Sequence, residues 1–164
     1  MSDNIQDYDL KDELIAERKV GYFEQPSDMA NWIYKTIINI DKFSLLVGKT
    51  ICWIGDGNNN MSNSLIEAAG KFGFQLKIGC PKKYMPSKKM LNWAKKNKVN
   101  LLLTKKPEEA AKDSDCIMTD KWVSMNDKVN KKLKKKDLKS YQVNKKLMQK
   151  AKSDAIFMHC LPVG

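Results

Sequence analysis

Arginine is nearly missing from this sequence. Arg18 stands alone among 30 basic residues, and all the others are lysine. Arginine is the residue best shaped for bidentate contacts to phosphate. The net charge of +11 therefore does not by itself point to nucleic acid. Lysine-rich stretches such as Lys131–Lys136 have no interleaved aromatics, which single-stranded nucleic acid would use for stacking. They read as solvated faces that also steer anionic ligands, and no nucleic-acid partner is expected. Histidine occurs once, at His159. The four cysteines, Cys52, Cys80, Cys116 and Cys160, form no Cys-x-x-Cys pair. That pattern speaks against a zinc site, so no metal or cofactor is expected. Each cysteine lies in or beside an apolar run, which fits buried free thiols in a reducing cytoplasm. No apolar run approaches the roughly 20 residues of a membrane span. The opening MSDNIQDYDLKDEL is acidic and polar, unlike a signal peptide.

What is present fits one domain of ordinary size. The 164 residues are 42% hydrophobic, enough for a sizeable core. Thr50–Lys71 organises the rest. Ile51, Cys52, Trp53 and Ile54 are a short apolar run, which reads as a buried strand. Gly55-Asp56-Gly57-Asn58-Asn59-Asn60 follows, a run tolerant of turn conformations. Met61, Leu65, Ile66 and Ala69 then recur at helical spacing. The loop begins like a dinucleotide-binding fingerprint, but Asn60 stands where its third glycine would be. The next strand ends at Gly79-Cys80 without the acidic residue that would hold a ribose. A nucleotide reading is therefore set aside. The amides and the free N–H groups of a helix start suit a carboxylate or phosphate.

Along the chain, residues 1–24 read as a poorly packed lead-in, with a thin amphipathic helix over Asp9–Lys19. Residues 25–164 read as the α/β domain. Pro26 to Ile40 carries an apolar helical face. Strands are expected at Ile51–Ile54, Gln75–Gly79, Asn100–Thr104, Asp115–Thr119 and Ala155–Met158. Helices are expected after Ser87, over Pro107–Lys112 and after Asn144; Leu133–Lys139 has no clear pattern. Strands that alternate with helices at short intervals need parallel crossovers. The fold class is therefore α/β: a doubly wound, mainly parallel five-stranded sheet with helices on both faces.

Three polar groups follow three apolar strands. They are Asn58–Asn60 after the first, Asp120 with Ser124 and Met125 after the fourth, and His159-Cys160 after the fifth. In a parallel sheet these ends share one edge. A carboxylate there can hold an ammonium, and amides with a hydroxyl can hold a carboxylate. That donor set describes a site for a zwitterionic amino acid. Read singly, Asp120 is equally well a turn residue, Ser124 a loop hydroxyl, and His159 and Cys160 strand-end residues.

Four segments together resemble the ornithine carbamoyltransferases. They are Ile54–Ser64 (IGDGNNNMSNS), Thr119–Met125 (TDKWVSM), Tyr141–Asn144 (YQVN) and Asp154–Pro162 (DAIFMHCLP). The likeness is to the second, ornithine-binding domain of that family and runs from about Pro26 to the last residue. It implies that Asp120 binds the substrate's α-amino group and helps position it. Ser124 and Met125 resemble the pair at the ornithine backbone. His159, Cys160 and Leu161 match a motif whose Cys and Leu lie beside the reacting groups. The implied catalytic residues are Asp120 and Cys160. An asparagine of the glycine loop is implied to contact the α-substituents. This chain has three asparagines where the family has two: counting from Asp56 selects Asn59, and counting back from Met61 selects Asn60.

The implied reaction is attack of ornithine on carbamoyl phosphate, giving citrulline and phosphate, in a homotrimer. Two family motifs are absent from these residues. Gln25-Pro26-Ser27-Asp28 stands where a His-Pro-x-Gln would bind the carbamoyl group, and no Ser-x-Arg-Thr-Arg occurs. The resemblance also implies a domain truncated before the family's C-terminal arginine and closing helix. Carbamoyl phosphate is then a partner only if a missing domain is supplied. The alternative is an amino-acid-binding or regulatory module without catalysis.

Overall fold

The computed structural model describes residues 46–123 and 130–160, together with the backbone of Val20–Phe23. The strands are β1 (Val20–Phe23), β2 (Thr50–Ile54), β3 (Gln75–Gly79), β4 (Leu101–Thr104), β5 (Cys116–Thr119) and β6 (Ile156–Cys160). The helices are α1 (Asn60–Phe72), α2 (Lys88–Lys96), α3 (Pro107–Ala111), α4 (Lys131–Leu138) and α5 (Lys145–Met148). Single 3-10 turns lie at Lys82–Tyr84 and Lys139–Tyr141.

The strands form one sheet in the order β1-β6-β5-β2-β3-β4, and every neighbouring pair is parallel. The expected doubly wound parallel sheet is present, with one strand more than the five expected. Val20–Phe23, assigned by sequence to the lead-in, pairs with β6 from Val20↔Phe157 to Phe23↔Cys160. Without it, β6 would present an open hydrogen-bonding edge. The helices expected over Asp9–Lys19 and Pro26–Ile40 lie outside the described residues.

Alternation along the central strands builds two cores. Ile51 and Trp53 of β2 face one layer with Leu65, Ile66 and Ala69 of α1 and Ala94 of α2. Cys52 and Ile54 face the other, with Ala110 and Ala111 of α3 and Leu147 and Met148 of α5. The two layers follow from handedness. The chain steps from β2 to β3 to β4 in one direction, then returns past β2 to β5 and β6. Right-handed crossovers put the first set of helices on one face and the second set on the other. The reversal lies between β2 and β5, where a crevice opens beyond the strand ends.

Local signals fix the helix limits. Asn59 caps α1, with its side chain accepting from Ser62 N, and Gly73 ends the helix in the left-handed region at φ 74°. Ser87 and Asn144 cap α2 and α5 as expected. The patternless Leu133–Lys139 region holds α4, capped by Asn130. Its inward residues are Lys134 and Leu138, while Leu133 remains 46% exposed. An inward lysine is what hid this helix from a hydrophobic pattern. Among the described residues no helix is long and apolar enough to cross a membrane. Among them, too, no His, Cys, Asp and Glu side chains gather into a metal-binding group.

Candidate functional site

The carboxyl ends of β2, β5 and β6 lie on one edge of the sheet, because Ile54 pairs with Thr119 and Thr119 with His159. Thr119 ties this edge together by donating its hydroxyl to the Ile54 carbonyl at 2.7 Å. Asp120 and Cys160 each follow a residue of that register. They therefore share the sheet end that the sequence assigned to both.

The β2–α1 loop is held by its own side chains. Asp56 accepts from Asn58 N at 2.9 Å, and its carbonyl accepts from Trp53 Nε1 at 2.9 Å. Asn59 and Ser62 form a reciprocal cap: Asn59 Oδ1 accepts from Ser62 N at 2.8 Å, and Ser62 Oγ accepts from Asn59 N at 3.1 Å. That bonding fixes the Asn59 rotamer and commits its oxygen, so its Nδ2 is the group free to turn outward. Nδ2 donates to Asp120 Oδ2 at 3.5 Å, a long contact. Asn60 is exposed in the first turn of α1. Of the two candidates, Asn59 is the one brought to Asp120.

Gly57 lets this loop sit where it does. A Cβ there would lie 2.9 Å from the Tyr84 carbonyl oxygen, 3.0 Å from Cys80 Sγ and 3.2 Å from Ile78 Cγ2. The nearest of these is backbone and does not yield cheaply. Gly57→Ala is expected to cost about 1–3 kcal/mol and to displace Asn58–Asn60. Urea denaturation measures the first effect, and amide chemical shifts of the loop measure the second. Unchanged stability and shifts would show that the loop has slack.

Asp120 is partly enclosed, and one of its oxygens accepts from Lys121 N at 2.7 Å. Burial raises its pKa above the usual carboxylate value. The Lys121 hydrogen bond and the charges of His159, Lys121 and Lys134 oppose that rise without cancelling it. Trp122 Nε1, two residues on, is buried without a hydrogen-bond partner among the described residues. His159 is buried, and its Nδ1 lies 2.7 Å from the Cys160 carbonyl. A carbonyl only accepts, so this contact places the proton on Nδ1. The Cys160 thiol is pushed up to about 11, first by burial and then by the Asp120 charge. It stays protonated at neutral pH and is no thiolate nucleophile. Ser124, Met125 and Leu161 lie outside the described residues.

One participant escaped the sequence reading. Lys134 of α4 reaches Asp56 Oδ2 with its Nζ at 2.7 Å, and both side chains are nearly closed to solvent. Within the run KKLKKKDL nothing separates Lys134 from its solvated neighbours except its i,i+4 spacing to Leu138.

Residues 47–164 match the family model for the aspartate/ornithine carbamoyltransferase Asp/Orn-binding domain. The chain belongs to this family. An ornithine carbamoyltransferase from Rhodopseudomonas palustris (strain BisA53) is 47% identical over 115 residues, covering 70% of this chain and 36% of the relative. The chain thus spans about a third of the length of such curated relatives. The solved ornithine carbamoyltransferase of Campylobacter jejuni superposes with a TM-score of 0.72 at 32% identity, over 86% of this chain and 46% of that one. That of Pyrococcus furiosus gives 0.70 at 33% identity, over 85% and 45%. The carbamoyltransferase resemblance drawn from four short motifs therefore holds across the matched domain.

Proposed function

We propose that this chain forms the ornithine-binding part of an ornithine carbamoyltransferase. The observation that carries the reading is the approach of Asn59 to Asp120 at the switch point of a carbamoyltransferase-family sheet. The Asp120 carboxylate takes the ligand's α-ammonium. The Asn59 amide takes the α-carboxylate, and by the resemblance Ser124 and Met125 serve the ornithine backbone. By the resemblance, His159, Cys160 and Leu161 belong to the motif beside the reacting δ-amine. In the reaction the neutral δ-amine attacks the carbonyl carbon of carbamoyl phosphate. A C–N bond forms, the C–O bond to phosphate breaks, and the amine's proton leaves with the phosphate or solvent. The neutral Cys160 thiol adds no charge that would repel the departing phosphate. Recognition of carbamoyl phosphate falls to residues outside this sequence, since the family's arginine motif is absent from it. The four buried cysteine thiols fit a cytoplasmic setting, and a homotrimer is the assembly the resemblance implies. The missing phosphate motif also supports a second reading, a module that binds the amino acid without turnover.

Isothermal titration or ligand-observed NMR with ornithine tests the site. Charge-assisted hydrogen bonds contribute about 1.5–3 kcal/mol each, and ordering the ligand and loop offsets several kcal/mol of that. The expected dissociation constant is on the order of millimolar, about 4 kcal/mol. Binding requires the Asp120 carboxylate, so it is lost as pH falls through the raised Asp120 pKa. The loss begins at a higher pH than an ordinary aspartate would give. No preference for ornithine over acetate, or binding that is flat with pH, removes the proposal.

A further inference from the structure

Lys134 is 6% exposed, whereas Lys131, Lys132, Lys135 and Lys136 on the same helix are all exposed. Leu133, next to it, is turned outward and 46% exposed. The fully buried Leu138, one turn on, turns the Lys134 position inward with it, and charge pairing lets a lysine occupy that inward position. Lysine is almost never fully buried unless paired, and its partner here is Asp56 at 2.7 Å.

The same helix grips a second loop. Lys134 Nζ lies 5.8 Å from the centre of the Tyr84 ring, within cation–π range. One turn on, Asp137 Oδ2 accepts from the Tyr84 hydroxyl at 3.0 Å and pairs with Lys83 Nζ at 3.3 Å. The Tyr84 carbonyl in turn stands against Gly57. Helix α4, the Tyr84 turn and the β2–α1 loop are thus joined through charged and aromatic contacts. Residues 124–129, which include Ser124 and Met125, lead directly into α4.

We propose that Lys134 is a positioning residue for the amino-acid site, its ammonium pinning Asp56 and thereby holding the loop that presents Asn59 to Asp120. The inference deepens the proposed function and, for its ligand readout, rests on it. Among the described residues, the charged and titratable groups around the device include Asp56, Asp120, Asp137, Lys83 and Tyr84. Asp56 faces Lys134 and, at longer range, the Cys80 thiol. Asp120 is influenced by Lys121, Lys134, His159 and Cys160. The Lys134 charge favours the ionised form of Asp120, so the residue acts on both sides of the site.

The test compares the 164-residue chain with Lys134→Met, Lys134→Arg and the charge-neutral pair Asp56→Asn/Lys134→Met. Three quantities are read: amide exchange at Asn58 and Asn59, the pH titration of the Asp120 carboxyl carbon by NMR, and the ornithine dissociation constant. Lys134→Met is expected to speed exchange at Asn58, whose N–H bonds to Asp56, on the order of tenfold. It also moves the Asp120 titration upward and weakens ornithine binding on the order of tenfold. Lys134→Arg keeps all three near the parent values, because it keeps the charge. The double variant leaves no buried charge unpaired, so it folds even where Lys134→Met does not, and it retains the fast Asn58 exchange. Unaltered Asn58 exchange and Asp120 titration in a folded Lys134→Met or double variant overturn the inference. The exchange and titration readings need no ligand. If the parent chain fails to bind ornithine, the proposed function falls, and these two readings still decide the role of Lys134.

Discussion

Asp120→Asn is expected to raise the melting temperature of the chain and at the same time abolish its hold on ornithine. The two effects have one cause. Burial lifts the Asp120 pKa above its unfolded value, so the folded state binds the proton more tightly than the unfolded chain does. Stability from such a group is fully present below the unfolded pKa and is lost as pH rises through the folded one. At neutral pH the carboxylate is therefore held charged at a cost, despite Lys121, Lys134 and His159 nearby. Asparagine keeps an oxygen to accept from Lys121 N and removes the desolvated charge. The 3.5 Å contact from Asn59 is too long for its loss to matter much. A gain of about 1 kcal/mol is in the range of such substitutions, or roughly 3 °C for a chain of this size. The gain should shrink to a small remainder near pH 3.5, below the unfolded aspartate value of about 3.9, because the aspartate is then mostly protonated in folded and unfolded chain alike. Ornithine loses its counter-charge, about 1.5–3 kcal/mol, which takes millimolar binding out of the measurable range. Melts at pH 7 and 3.5 beside an NMR titration decide it. A variant that melts lower at pH 7, or that still binds, would mean Asp120 is held for the fold and not for a ligand.

The parts legible in the sequence share a physical trait: each advertises itself locally. Ile51–Ile54 and the CIMT run of β5 are unbroken apolar stretches because both faces of a central parallel strand are covered. Asn59, Ser87 and Asn144 could be read as caps or loop residues because a cap depends on a few neighbouring backbone groups. What stayed hidden depends on distant partners. The four residues Val20–Phe23 form an outer strand, which is defined by its register with β6 more than by any pattern of its own. Counting along the loop could not choose between Asn59 and Asn60. The choice comes from the capping pair with Ser62, which fixes Asn59, and from the reach of its amide to a residue 61 positions away. Lys134 lay in a lysine run whose other members are solvated, and beyond its i,i+4 spacing to Leu138 it is set apart by its pairing with the distant Asp56. A buried ion pair leaves no periodic trace in either of its two segments.

A polypeptide of these residues, given ornithine and carbamoyl phosphate, is expected to form no citrulline above background. On the proposed function, the chain's own part of the chemistry is to hold one reactant: Asp120 and Asn59 fix the α-groups, and the three-methylene arm then carries the δ-amine past Cys160. The other reactant has no comparable anchor. Arg18, the single arginine, cannot replace a set of guanidinium forks matched to phosphate oxygens. By the resemblance, Gln25 and Asp28 stand where the family has His and Gln, and an aspartate repels a doubly charged ligand. Losing one donor to a developing oxyanion costs about 10²–10³ in rate. Losing the alignment of two reactants forfeits an effective molarity of up to about 10⁵–10⁸ M. Together these put turnover beyond a colorimetric citrulline assay. Adding a second chain that carries Ser-x-Arg-Thr-Arg and His-Pro-x-Gln is expected to restore citrulline formation, since it brings the phosphate forks and the carbonyl donors to the same crevice. Asp120→Asn in this chain should then abolish the restored activity, as should Lys134→Met to a lesser degree. Citrulline formed by the 164 residues alone and lost on Asp120→Asn would place carbamoyl-phosphate recognition within this chain. Formation in the mixture that survives Asp120→Asn would assign the ornithine site to the added chain instead.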